Sequence, residues 1–229
     1  AQLAAVSGNV THTFADDEDG AVNSTARTIV VTANDGDGGS TVQNKVVNVN
    51  NVAPTASVTG ADAVSEGSVY ALSVGAVSDP GTDTRTAYSI NWGDGNTDTL
   101  TAAQWTAAAG NFTHSYADGG PGGTARTITV SATDEDGTFT LGSKSLTVNN
   151  VAPSLTLSGN ASSNEGASYT LNLVASDPAG GNDPLSYSIN WGDGSAVENL
   201  TAAQLAAVSG NVTHAFADDE DGAVNSTAR

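Results

Sequence analysis

Cysteine and methionine are both absent from the sequence. Without cysteine there is no disulfide, no thiol nucleophile, no zinc–thiolate site and no cysteine-ligated iron–sulfur cluster. Basic residues are scarce: six Lys and Arg stand against 25 Asp and Glu, for a formal net charge of −19. Such a polyanion repels phosphate backbones and anionic membrane surfaces, so nucleic acid is not expected as a partner. No apolar run approaches the roughly 20 residues a membrane-spanning helix needs, so no membrane insertion is expected in this segment. There is no initiator Met and no signal peptide, and the chain is therefore read as an internal piece of something longer. Aromatics make up only 5% of the residues, and almost no segment carries the Leu, Lys, Glu and Arg mixture of a long helix.

What is present is Ser, Thr, Val, Ala, Asn and Gly, arranged as short Thr/Val stretches between Gly/Asp turns, which is the composition of an all-β chain. Self-similarity is the strongest signal. INWGDG occurs at 90–95 and 189–194, NNVAP at 50–54 and 149–153, and TARTI at 25–29 and 124–128, each at an offset of 99. A longer period lies on top: residues 1–27 and 203–229 differ only at Thr13 against Ala215. The chain thus reads as a window on a tandem array of alternating unit types. Residues 1–51 are the C-terminal part of one repeat, 52–150 a complete repeat, and 151–229 the N-terminal part of a third. A strand is expected after Arg229, as after Arg27 and Arg126, supplied by continuation of the chain or by strand addition from a neighbour.

Within the complete repeat, period-two alternation predicts strands at 55–58, 68–74, 87–92, 126–133 and 143–148. Tyr70, Leu72 and Val74 share one face, as do Tyr88, Ile90 and Trp92, and Ile128, Val130 and Ala132. GDG, DPG, ADGG and DEDG bound them as turns. The one helical turn expected is 101–108, capped by Thr101, with Trp105 plugging an end of the core. About seven short strands in a hundred residues predict a β-sandwich.

INWGDG (90–95), THSYADGG (113–120) and TITVSATDEDG (127–137) resemble the PKD domain, the immunoglobulin-like repeat of polycystins and of many bacterial and archaeal surface proteins. Many members carry a Phe between the Trp and the Gly; this chain does not. The resemblance implies tandem immunoglobulin-like sandwiches in an elongated array. It also implies a structural role for the motif: Trp92, Asp94, His114 and Tyr116 in one copy, Trp191, Asp193 and His214 in the next, with the aspartates tying the turn through backbone N–H groups. No catalytic residue is expected and the chain is not read as an enzyme, since no nucleophile–base arrangement, phosphate loop or His metal cluster is visible. The junctions at 47–54 and 146–153 run strand into strand without a Gly or Ser tether, stiffened by Pro54 and Pro153.

Acidic loop residues are the candidate metal ligands. Glu66 and Glu165 sit in EG turns, Asp79, Asp83, Asp177 and Asp183 in and after the Asp-Pro loops, and Asp134, Asp136, Asp35 and Asp37 in Asp-x-Asp turns. Glu66, Asp79 and Asp134 are expected to converge at one end of the sandwich. Calcium takes six to eight hard oxygens, which such loops supply, so Ca2+ is the expected ion. Asp beside Gly is equally the commonest turn chemistry. ADDEDG (15–20 and 217–222) is a second acidic candidate, read as an exposed charged loop. Asn-x-Ser/Thr sequons occur at Asn9, Asn23, Asn111, Asn160, Asn199, Asn211 and Asn225, and those in loops would carry sugars in a glycosylating host.

The expectation for function is a structural segment of an extracellular or cell-surface fibre, stalk or surface layer, whose partners are neighbouring repeats and which calcium stiffens. The alternative is a carbohydrate- or partner-binding accessory repeat of a secreted adhesin or hydrolase. That alternative needs an exposed aromatic platform, and Trp105 has Leu205 as its counterpart.

Overall fold

Asn23 leads into the first strand among the described residues, β1 (Ser24–Asn34), which pairs antiparallel with β2 (Ser40–Asn50) over its whole length. The hairpin turns on Asp35, whose Oδ1 accepts from the N–H groups of Asp37 and Gly39. The computed structural model describes residues 8–17 and 23–217.

The complete repeat follows with β3 (Val58–Gly60), β4 (Ala63–Ser65), β5 (Val69–Val74), β6 (Ala87–Asn91), β7 (Thr97–Thr101), helix α1 (Ala102–Ala108), β8 (Asn111–Ser115), β9 (Thr124–Thr133) and β10 (Thr138–Asn149). One sheet has the order β4-β10-β9-β6-β7 and the other β3-β5-β8. The architecture is all-β and sandwich-like. The alternating apolar residues of the strands are the core: Tyr70, Leu72, Val74, Tyr88, Ile90, Trp92, Ile128, Val130, Ala132, Leu146 and Val148 are all buried. Thr101 caps α1 in a capping box with Gln104, so the short helix starts where its hydroxyl can satisfy an otherwise orphaned N–H.

The structure departs from the sequence expectation in adding β7, which was not expected, and in two further details. The first strand begins at Val58 rather than at 55. Thr55 exchanges bonds with Ser78, Ala56 donates to Leu141 and Ser57 accepts from Gly75, so the backbone changes partner at every residue before a ladder can form. And β4, too short to leave a periodic signature, pairs parallel with the end of β10, Ala63 facing Thr147.

The third repeat builds β11 (Ser154–Gly159), β12 (Ser168–Ser176), a 3-10 turn at Gly180–Asn182, β13 (Ser186–Ile189), β14 (Glu198–Thr201), α2 (Ala202–Ala207) and β15 (Asn211–Ala215). Its core is Leu173, Ile189, Trp191, Leu205 and Val212. Among the described residues no counterpart of β9 and β10 follows β15. Conversely, Ile29, Val31 and Val42 on β1 and β2 are exposed, whereas their counterparts Ile128, Val130 and Leu141 are buried.

By compactness the chain divides into two units that cut across the repeats. One comprises Ala1–Asp62, Tyr70–His114 and Ala125–Leu146, the other Ala63–Val69, Ser115–Thr124 and Thr147–Arg229. Glu66 and the pairing of β4 with the end of β10 draw the second unit together.

Candidate functional site

The GDG turn is built twice with the same chemistry. Trp92 is wholly buried, closes the turn by donating from its backbone N–H to Asn96 O at 3.0 Å, and donates from Nε1 to Asp98 Oδ2 at 2.9 Å. Gly93 has φ +80°, and a Cβ there would meet Thr127 O at 2.6 Å, so only glycine fits. Asp94 Oδ1 accepts from Asn96 N, while Oδ2 lies 2.7 Å from His114 Nε2. An ionised carboxylate only accepts, so Nε2 carries the proton. The imidazole stacks on the Trp92 indole with centroids 4.8 Å apart. In the third repeat Asp193 meets Ser195 N and His214 Nε2, His214 stacks on Trp191 at 4.6 Å, and the indole donates to Glu198. Burial raises the Asp94 carboxyl, but hydrogen bonds from His114 and Asn96 outweigh it and hold the group below the usual carboxylate range. Asp193 is depressed further by its bonds to Ser195 and His214. The aspartate carboxylates, the imidazole Nε2 atoms and the indole N–H groups of both copies are engaged within the turn. Sequence reading missed the indole acceptors Asp98 and Glu198, which are not the same residue type in the two copies.

Among the described residues the acidic side chains form three groups, two of which share Asp83. In the first compact unit, carboxylate oxygens of Asp79, Asp83 and Asp134 all lie within 4.8 Å of one another, and so do those of Asp16, Asp17 and Asp83. In the second unit the group is Glu66, Asp118 and Asp183. Glu66 is thus grouped with Asp118 and Asp183, and Asp79 and Asp134 with Asp83. Glu66 is 1% exposed, and its Oε2 accepts from Gly119 N at 2.7 Å and its Oε1 from Val151 N at 2.8 Å. It is consumed in pinning the 117–119 loop and the junction strand. The Asn150 amide, oriented with its nitrogen inward, donates to both Asp183 and Glu66. Burial and the charges of Asp118, Glu66 and Asp177 push Asp183 up.

Asp79 and Asp134 are held by their own loops. Asp79 accepts from Gly81 N and pairs with Arg85 Nη1 at 3.1 Å. Asp134 Oδ1 accepts from Asp136 N and Gly137 N, yet its Oδ2 and the Oδ2 of Asp83 are buried with no hydrogen-bond partner. Asp83 is pushed up to about 7 by burial first, then by Asp79, Asp16 and Glu135 around it. Asp134 is raised by burial, against its two N–H donors. ADDEDG also differs from its expectation: within the described part of the first copy, Asp17 is buried and Asp16 half-buried.

The remaining candidates stand apart from these groups. Asp35 and Asp37 serve the β1–β2 turn. Asp136 accepts from Asn23 N at 3.3 Å. Glu165 is exposed, and Asp177 accepts from Ala179 N. Asn9, Asn111 and Asn211 are exposed, and the amides of Asn111 and Asn211 donate to Ala109 O and Ser209 O. Asn225 lies outside the described residues, as does the second ADDEDG run after Ala217.

The raised Asp83 fixes the sign of a pH effect. In chelator the folded state keeps this proton between pH about 4 and about 7 while the unfolded chain, with an ordinary aspartate pKa of about 3.9, has lost it. Stability that is full below about pH 4 is therefore lost as pH rises towards 7. Thermal melts in EDTA are expected to show this fall, and Asp83→Asn to flatten it. A melting temperature that rises over that interval would contradict the assignment.

No protein-family model matches this chain, and no curated protein matches it. Among the described residues no helix is long and apolar enough to cross a membrane.

Proposed function

We propose that this chain is a structural segment of a long extracellular fibre, stalk or surface-layer protein, made of tandem immunoglobulin-like, PKD-type sandwiches and stiffened by calcium at its acidic loops. The observation that carries the reading is the twice-built turn. Trp, Asp and His recur at a spacing near one hundred residues with matching contacts, at 2.7 and 2.6 Å between imidazole and carboxylate, and each is committed to local architecture. A chain that repeats its framework and spends its polar side chains on turns is suited to bearing load. The acidic groups supply hard oxygens in loops, the chemistry calcium takes.

The carbohydrate-binding alternative has less support. Trp105 stacks face to face on Tyr88 with centroids 4.2 Å apart and touches Phe112, and its counterpart Leu205 is buried. Both are packing positions.

Small-angle scattering of the whole chain in calcium tests the fibre reading. A compact globule of this length has a radius of gyration of about 17 Å. Sandwiches in series are expected to exceed about 25 Å, well above that compact-chain scaling. A value near the compact figure would defeat the reading.

A further inference from the structure

Asp83 belongs to two acidic groups at once. Its neighbours Asp79 and Asp134 come from the same repeat, whereas Asp16 and Asp17 come from the preceding one, and all five lie in the first compact unit. Thr82, beside Asp83, donates to Asp16 Oδ2 at 2.6 Å and holds that carboxylate against the loop. Phe14, Asp16, Asp17, Asn51, Pro80, Asp83 and their neighbours line a cavity of about 80 Å³.

Acidic residues near one another do not make a site. Here the chemistry of individual atoms adds to proximity. Asp83 is 9% exposed and Asp134 6%, and each directs a buried Oδ2 that receives no hydrogen bond from the protein. A buried carboxylate oxygen without a donor is costly unless a cation or a proton meets it. The spacing fits a cation. Two oxygens on opposite sides of a calcium ion, each about 2.3–2.6 Å away, stand about 4.6–5.2 Å apart, whereas around magnesium, at about 2.0–2.1 Å, they stand nearer 4 Å. In both groups the ligand oxygens lie within 4.8 Å of one another, close enough for one divalent cation to reach all three. Charge points the same way: the five carboxylates are set against one paired guanidinium, Arg85, with Glu135 also close enough to act on Asp83, an excess that one divalent cation does not neutralise.

We propose that Asp83 bridges two divalent cations, one held with Asp79 and Asp134 and the other with Asp16 and Asp17, so that the ions fasten the 8–17 segment to the loops of the following repeat. This rests on the calcium reading above and adds to it where the ions sit and what they join. The repeat pattern places Asp118 and Asp183 in the positions of Asp16 and Asp83. There, however, Glu66 is satisfied by backbone N–H groups, so the two-ion centre is assigned to the first site alone.

Calcium bound per chain, counted by equilibrium dialysis on the full chain, tests this. Asp83→Asn is expected to lose two ions relative to the unsubstituted chain, Asp134→Asn one, and the pair Asp16→Asn with Asp17→Asn one. Counting by difference removes any contribution from other sites. If Asp83→Asn does not fold, the other two variants carry the test on their own. An Asp16/Asp17 variant that keeps the full count overturns the two-ion centre while leaving calcium stiffening intact. A parent chain that binds no calcium overturns both.

Discussion

Trp92→Ala is expected to lower the stability of the complete repeat by about 3–5 kcal/mol, the range for emptying a large aromatic from a packed core. The side chain is fully buried and does three things at once. It fills the space beside Ile90, supplies the face on which His114 stacks, and donates to Asp98. Its removal leaves a cavity, takes the indole donor from Asp98 and removes the face on which the His114 ring stacks. Denaturant unfolding followed by circular dichroism checks it. A loss below about 1 kcal/mol would mean that the indole is not the centre of this core. The same substitution at Trp191 is expected to cost less, because that indole is already 8% exposed.

Glu66→Ala is expected to cost about 2–4 kcal/mol, from two backbone donors, Gly119 N and Val151 N, left buried without acceptors. Glu66→Gln is the sharper probe. It keeps shape and one acceptor but turns a donor towards the other N–H, so it is expected to destabilise as well. If Glu66 were instead a cation ligand, the glutamine variant would be nearly neutral in EDTA and would lose its response to calcium. The two roles therefore separate in one pair of melts.

β5, β6, β9 and the end of β10 were legible because each alternates apolar and polar residues with a period of two, whereas β7, with one half-buried residue in five, was not, and the helix was legible because Thr101 is a good N-cap before a short run of helix formers. The twinned turn was legible because it repeats. Three further features were not. β4 is three residues long and is fixed by its parallel neighbour, a contact far away in sequence. The use of Glu66 as an acceptor for Gly119 and Val151 depends on which backbone N–H groups face it, and no residue pattern encodes that. The burial of Asp17 within a run that reads as a solvated charged loop depends on the loop from the next repeat lying against it, through Thr82 and Asp83. Spacing identified the acids; only the fold sorts them into groups.

Divalent cations, calcium above all, are proposed to hold these acidic loops together. Calorimetric unfolding of the chain in excess EDTA, then calcium, then magnesium at matched ionic strength tests it most directly. At calcium a hundredfold above its dissociation constant each ion adds about 2.7 kcal/mol. For a chain of this size that is a rise of about 5–10 °C in melting temperature per ion. The account predicts such a rise with calcium and a much smaller one with magnesium. Three superimposable melts would contradict it and return every one of these aspartates to turn and surface chemistry.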